Sequence, residues 1–267
     1  MTASQEDILL EEFSSGILRL TLNDEKRRNA LSEDMLDLLY TKIMAAAENS
    51  EIRVIILAAR GTVFCAGHDL KEISRARNNN DQGIAYFKIL FDKCSEVMKA
   101  IITNPKPVIA EVNGTATAAG CQLVATCDLA IASTSSKFAT PGVNIGLFCS
   151  TPMVALSRNV SNKHAMEMLF TGEMVDSYRA EQIGLINRSC DADLLPDEVN
   201  AVARKIASKS SLTLAVGKQA FYQQSEMNLG EAYKYTSKVM VDNMLKKDAE
   251  EGISAFLAKR NPEWQDK

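Results

Sequence analysis

The chain has 267 residues, 46% of them hydrophobic, with 30 basic against 34 acidic side chains and a pI near 5.4. This is enough apolar material for one large domain, or one domain with an appendage, while the mild charge balance offers no basic field for nucleic acid. No apolar run reaches the roughly 18 residues of a spanning helix, and residues 1–12 are acidic rather than Arg-rich, so neither a membrane span nor a transit peptide is expected. Six cysteines (Cys65, Cys94, Cys121, Cys127, Cys149, Cys190) form no CxxC pair and sit among apolar or small residues, the pattern of reduced core thiols. With only His68 and His164 and no Cys/His cluster, no metal site is expected.

Two short strands near residues 8–12 and 17–22 open the chain, joined by a turn at Ser14-Ser15-Gly16. Ser32 then caps an amphipathic helix running to about Asn49, with Met35, Leu38, Leu39, Ile43 and Ala46 on one face. The continuous apolar run Val54-Ile55-Ile56-Leu57 reads as a strand covered on both faces. A Gly-containing turn follows, then a polar stretch at residues 75–82 that is expected to be mobile, then a long helix stopped by Pro105-Lys106-Pro107 near Thr103. Strand 107–112, a helix from Gly120 and strand 129–132 continue the alternation, so strand, strand, helix repeats as a unit.

From about Thr151 the pattern is mostly helical, over 152–160, 163–171, 177–183, 196–209, 212–224, 228–246 and 247–259, with no Gly, Ser or Pro linker between the halves. The expected organisation is a β/α core over residues 1–205 and a helical region over 206–267, packed on the core or on a neighbour. The charge-rich end around residues 246–260 reads as a solvated face.

Two stretches carry chemistry: Phe64-Cys65-Ala66-Gly67-His68-Asp69-Leu70, and Asn113-Gly114 followed by Ala118-Ala119-Gly120-Cys121-Gln122. Both are chain reversals that leave backbone N–H groups unpaired, the second at a helix start, where the first amides have no internal acceptor and the dipole favours negative charge. Two such donors hold an oxyanion better than a neutral carbonyl, and losing one typically costs about 2.7–4 kcal/mol of transition-state stabilisation.

Together with Arg28-Asn29-Ala30-Leu31-Ser32 and the segments 64–73, 107–128, 138–146, 180–185 and 251–260, these stretches resemble the enoyl-CoA hydratase/isomerase, or crotonase, family over nearly the whole chain. The resemblance implies an α/β fold, a spiral of β-β-α units with a C-terminal helical trimerisation region. It implies trimers, often paired into hexamers, and an acyl-CoA thioester whose carbonyl lies between the amides of His68 and Ala119. Gly is usual at the second of these positions, so Ala119 must adopt backbone angles that a Cβ tolerates. Coenzyme A enters as part of that thioester rather than as a tightly bound cofactor. Its surface would be shaped by Lys26, Arg28, Ala30, Ala66, Asp69 and Leu70, with Phe256 and Lys259 reaching over from the C-terminal helices, in one arrangement those of a neighbouring subunit. The resemblance is to a mitochondrial member, which implies that location with any presequence already removed.

The chain departs from that family at the reacting groups. The two glutamates that the hydratases use fall on Gln122 and Gly142, and the acid that other members place further along falls on Ser150. An amide has no useful basicity and Gly no side chain, whereas positioned acid–base groups contribute about 10²–10⁴ in rate, so efficient hydration is not expected. Restoring Glu at both positions should raise hydration if the pocket geometry is intact. His68, Asp69, Cys149 and Ser150 are the candidate substitutes: Asp69 reads first as a helix cap, His68 as a local hydrogen-bonding group or a catalyst, and neither Cys149 nor Ser150 has a visible base partner. A neutral site also suits loss of CO₂ from a malonyl-type thioester, which forms the enolate without a base, and a non-catalytic acyl-CoA binder is the third reading.

Overall fold

The computed structural model describes residues 8–267. The opening hairpin pairs β1 (Leu9–Ser14) with β2 (Ile17–Leu22) in antiparallel register. Ser14 belongs to the strand, and the reversal is the two residues Ser15 and Gly16 at φ 52° and 78°, the left-handed pair that a two-residue hairpin turn requires. Ser32 caps α1 (Glu33–Glu48) by accepting the amide of Met35. The helix buries Leu36 where Leu38 was expected, and Leu38 packs only partly against the core.

The spiral of β-β-α units expected from the sequence is the architecture observed. Each turn gives one strand to a first sheet and the next to a second. β3 (Val54–Ala59) is followed by β4 (Val63–Cys65), β5 (Val108–Val112) by β6 (Thr115–Thr117), and β7 (Leu129–Ser133) by β8 (Lys137–Ala139). With β9 (Val175–Asp176) and β10 (Arg188–Cys190), the first sheet runs β1-β2-β3-β5-β7-β10, parallel from β2 onward, and the second runs β4-β6-β8-β9. Strand β3 has a continuous apolar sequence because both its faces are covered. Ile55 and Leu57 enter the main core, while Val54, Ile56 and Ala58 pack beneath α8 (Leu195–Ala207) through Leu195, Val199 and Ala203.

Between β4 and β5 lie α2 (Leu70–Ala76) and α3 (Ile84–Thr103). Arg75 and Ala76 thus belong to a helix rather than to the polar stretch, and residues beyond it form bonded turns, with Asn78, Asn79 and Gln82 amides donating to the carbonyls of Arg75, Ala76 and Asn79. Helix α4 (Ala119–Thr126) joins β6 to β7. After β8 come α5 (Pro152–Asn159), α6 (Asn162–Thr171) and α7 (Ser177–Gln182).

The chain ends in α9 (Ser211–Gln224), α10 (Leu229–Met244) and α11 (Lys247–Leu257). Lys218 of α9 is inserted into the core. Its Nζ donates to the carbonyls of Ile101 and Lys106 and to Asp128 Oδ2 at 2.6 Å, and Tyr222 donates to the other Asp128 oxygen at 2.9 Å. The charge-rich end is largely a solvated face, but Asp248 is 2% exposed and accepts the amides of Gln265 and Asp266, which pins the last residues.

Candidate functional site

Two turns from successive layers of the spiral meet at one point. The turn after β4 presents Ala66 to Asp69, and the turn into α4 presents Ala118 to Gly120. A Cβ on Gly120 would lie 2.1 Å from the Cys65 carbonyl oxygen, and one on Gly67 would lie 3.2 Å from Ala119 N, so both glycines are required for the approach. Gly67 has φ +91°, a region that L side chains rarely adopt. The contact is fastened by Thr117 Oγ1, which donates to the Ala66 carbonyl at 3.1 Å, and by the Ala66 amide, which donates to the Arg28 carbonyl at 3.1 Å.

Neither the His68 nor the Ala119 amide finds an acceptor among the described residues. Ala119 is the first residue of α4, so its free amide is one that a helix start necessarily exposes, and helical angles accept its Cβ. The unusual backbone falls one residue earlier: Ala118 sits at φ 50°, ψ −119°, a conformation that glycine favours and that costs a side-chain-bearing residue about 1–3 kcal/mol. It is held there by donation from its amide to the Ala139 carbonyl and by acceptance from the Gln122 amide.

These turns form one wall of a cavity of about 580 Å³. Of the predicted site residues, Ala66, His68, Leu70, Ala119, Gly142 and Ser150 line it, as does Cys149. Ile73 and Phe91 add apolar surface from α2 and α3, and Ile145, Leu147 and Phe148 do so from the opposite side. These five were not foreseen. Phe91 lies on the expected helix but reveals nothing of the site in sequence, whereas the apolar Ile145, Leu147 and Phe148, exposed in a segment between a strand and a helix, are a readable sign of a binding wall.

Of the remaining expected residues, none lines this cavity. Lys26 and Arg28 are exposed on the 3-10 turn Glu25–Arg27 and its cap, beside the Ala66 turn, and Ala30 is buried behind it. Asp69 caps α2, accepting the amides of Lys71 and Glu72, with its other oxygen 3.7 Å from Arg27, so the cap reading is the one observed. Phe256 is 83% exposed on α11 and, like Lys259, takes no part in the cavity of its own chain.

His68 is fixed at one ring nitrogen. Its Nδ1 lies 3.2 Å from the Leu31 carbonyl, which can only accept, so this nitrogen carries the proton, and Phe91 packs edge-on against the ring at 5.5 Å. Burial holds the imidazole below its ordinary pKa, opposed by the Leu31 contact, and leaves it neutral. Nε2 is buried and has no partner among the described residues.

The opposite wall is built differently. Gly142 lies in the 3-10 helix Pro141–Ile145, and a Cβ there would meet the Leu147 carbonyl oxygen at 2.8 Å and Cys149 Sγ at 2.9 Å. The segment from Leu147 to Cys149 therefore fills the space into which a side chain at 142 would begin to grow. Gln122, in the first turn of α4, is 5% exposed, with Oε1 lacking a partner among the described residues. Burial raises the Cys149 thiol pKa, and Ser150 Oγ only approaches the Phe148 carbonyl at 3.4 Å, so neither has an activating base. The lining contains no carboxylate and no cation; His68 and Cys149 are its titratable residues.

The family model described as enoyl-CoA hydratase/isomerase matches residues 12–267. The chain belongs to this family. It is 51% identical over 249 residues to enoyl-CoA hydratase domain-containing protein 3, mitochondrial, of Rattus norvegicus, which covers 93% of this chain and 81% of the relative. Among solved structures, an enoyl-CoA hydratase of Mycobacterium smegmatis is similar at TM-score 0.92 and 49% identity, covering 97% of this chain and 99% of that one. The human enoyl-CoA hydratase domain-containing protein 3 gives TM-score 0.92 and 49% identity, covering 96% of this chain and 100% of that one. Family membership agrees with the observed spiral.

Proposed function

We propose that the protein binds an acyl-CoA thioester with the carbonyl oxygen between the amides of His68 and Ala119, and polarises that carbonyl without efficient enoyl hydration. The observation that carries this reading is the pair of unpaired amides on two contacting turns in the wall of a largely apolar cavity. The absence of a carboxylate from that lining supports the second half, because hydration requires groups to take and deliver protons. The Lys26–Ala30 turn, Ala66, Asp69 and Leu70 form the adjoining coenzyme A surface in this reading. Coenzyme A arrives as part of the thioester, and no separate cofactor is required.

In this reading the core with the site is the span 1–205, of which the structure describes 8–205, and 206–267 form an oligomerisation region. The second assignment is supported by exposed apolar side chains such as Leu229, Leu245, Phe256 and Leu257, each at least 75% exposed. A trimer, or a dimer of trimers, covers such a face and brings Phe256 and Lys259 of one copy toward the ligand of another. Several relatives carry mitochondrial names, which supports a role in mitochondrial fatty-acid metabolism.

A malonyl-type thioester that loses CO₂ is a second reading, favoured by a lining that holds no carboxylate to repel the substrate's own. Assays with purified protein separate the possibilities. Crotonyl-CoA loss well above a denatured control overturns the claim of poor hydration, methylmalonyl- or ethylmalonyl-CoA loss establishes the decarboxylase, and binding without turnover leaves an acyl-CoA binder. Failure of every acyl-CoA to bind overturns the ligand class.

A further inference from the structure

The cavity offers more room than a reacting carbonyl needs. At roughly 30 Å³ for a water-sized group, the four carbons of a butyryl chain fill about a fifth of its 580 Å³. The charged groups assigned to coenzyme A lie outside it, since Lys26 and Arg28 are exposed beside the Ala66 turn and neither belongs to the lining. The enclosed space is thereby left to the acyl chain. Beyond the two amides it is bounded by Leu70, Ile73 and Phe91 on one side and by Ile145, Leu147 and Phe148 on the other. The last three are each at least 40% exposed, so their apolar surface is open to a ligand. Their segment is fixed: the Leu147 amide donates to the Gly142 carbonyl at 2.9 Å, the Ser150 amide to the Phe148 carbonyl at 2.7 Å, and the Phe148 ring packs against Phe170 of α6 at 6.0 Å.

We propose that Ile145, Leu147 and Phe148 are the specificity-determining residues of this cavity, selecting a thioester whose acyl chain is an uncharged hydrocarbon of medium length. The inference rests on the thioester reading above and deepens it. Hydrocarbon covering these side chains removes apolar surface from water on both partners, and each methylene so buried is worth up to about fourfold in affinity. A carboxylate at the far end of the chain meets the opposite condition. The lining holds no cation, and its hydroxyls, on Ser150 and Thr151, are neutral, so the charge would lose its hydration without an ion-pair partner. The malonyl-type thioester of the second reading is placed behind a neutral one by the same argument.

The test uses the full chain and measures the dissociation constants of butyryl-, hexanoyl-, octanoyl- and adipyl-CoA by calorimetry. Octanoyl-CoA should bind at least about tenfold more tightly than butyryl-CoA, against a ceiling of about 200-fold for the added methylenes. Hexanoyl-CoA should bind at least about tenfold more tightly than adipyl-CoA, which has the same carbon count and differs by its terminal carboxylate. Phe148→Ala should reduce the octanoyl-to-butyryl ratio at least about threefold. Ile145→Lys supplies the missing cation at an exposed position and should shift the hexanoyl-to-adipyl ratio at least about tenfold toward adipyl-CoA. Coenzyme A is common to both thioesters, so its own attraction to the new charge cancels in that ratio. Either variant suffices should the other not fold.

Octanoyl-CoA binding no more tightly than butyryl-CoA, adipyl-CoA binding as tightly as hexanoyl-CoA, or either folded variant keeping its wild-type ratio overturns the inference and leaves the thioester reading standing. Failure of all four thioesters to bind overturns both.

Discussion

The two walls of the cavity are built from different material, main chain on one side and side chains on the other. On the wall made by the Ala66–Asp69 and Ala118–Gly120 turns, the distinctive features are backbone: two amides without an acceptor among the described residues, two glycines that permit the approach, and one alanine held at a positive φ. On the wall from Pro141 to Ser150, an acid–base group would have to be a side chain, and at Gly142 the room for one is already taken by Leu147 and Cys149. Backbone geometry is enforced by neighbouring layers of the fold, whereas a lone carboxylate is enforced only by the reaction that uses it.

This contrast can be broken most severely at Gly120. A Cβ 2.1 Å from the Cys65 carbonyl forces the two turns apart, so Gly120→Ala should lower unfolding free energy by about 3 kcal/mol or more and abolish thioester binding, measured by denaturant titration and calorimetry. Preserved binding in that variant would show that the amides do not depend on this contact for their placement.

The opposite wall gives the next largest effect. Contrary to the expectation from sequence, the Gln122→Glu/Gly142→Glu pair should hydrate crotonyl-CoA no faster than the wild type, and Gly142→Glu should cost about 1–3 kcal/mol, because its Cβ meets the Leu147 carbonyl and Cys149 Sγ. A rise in crotonyl-CoA turnover would mean that the 147–149 segment yields easily.

Stability against pH sharpens the role of His68. Its pKa is lower in the folded chain than in the unfolded one, so below the ordinary imidazole value the unfolded state binds the extra proton. Stability is therefore complete above that value and falls as pH drops from it toward the folded value, by at most about 1.4 kcal/mol per pH unit. His68→Gln should remove that component of the slope, as read from urea midpoints between pH 7.5 and 5.5. The smallest effect concerns Ala118. Replacing it with Gly relieves the positive φ but loosens the unfolded chain, for a net stabilisation of about 1 kcal/mol measured as a rise in melting temperature.

Long periodic elements were legible in the sequence: α1 with its Ser32 cap, α3 to its Pro-marked end, strand β3 and the succession of C-terminal helices all lie within a few residues of their expected limits. The second sheet was legible only as a repeat of strand, strand, helix, since β4, β6 and β8 are three residues each and too short to display alternation. At the site, the turn residues were evident from Gly placement, but the strain was expected at Ala119 and lies at Ala118, because the helix begins one residue earlier than its first glycine. That Gly142 is a filled position rather than a vacant one depends on a carbonyl five residues away, which no local pattern announces. The same holds for the Lys218–Asp128 pair, formed across 90 residues.

Because Gly120 touches the strand one layer below it, the distance between the two donors is set by the pitch of the coil and not by any rotamer. Single replacements of surrounding side chains should leave that spacing alone, whereas inserting or removing one residue between Cys65 and Gly120 that shifts the stacking should erase it at once. In the proposed reading, the far side of the chamber can be edited without disturbing the two amides, whose spacing comes as a by-product of folding.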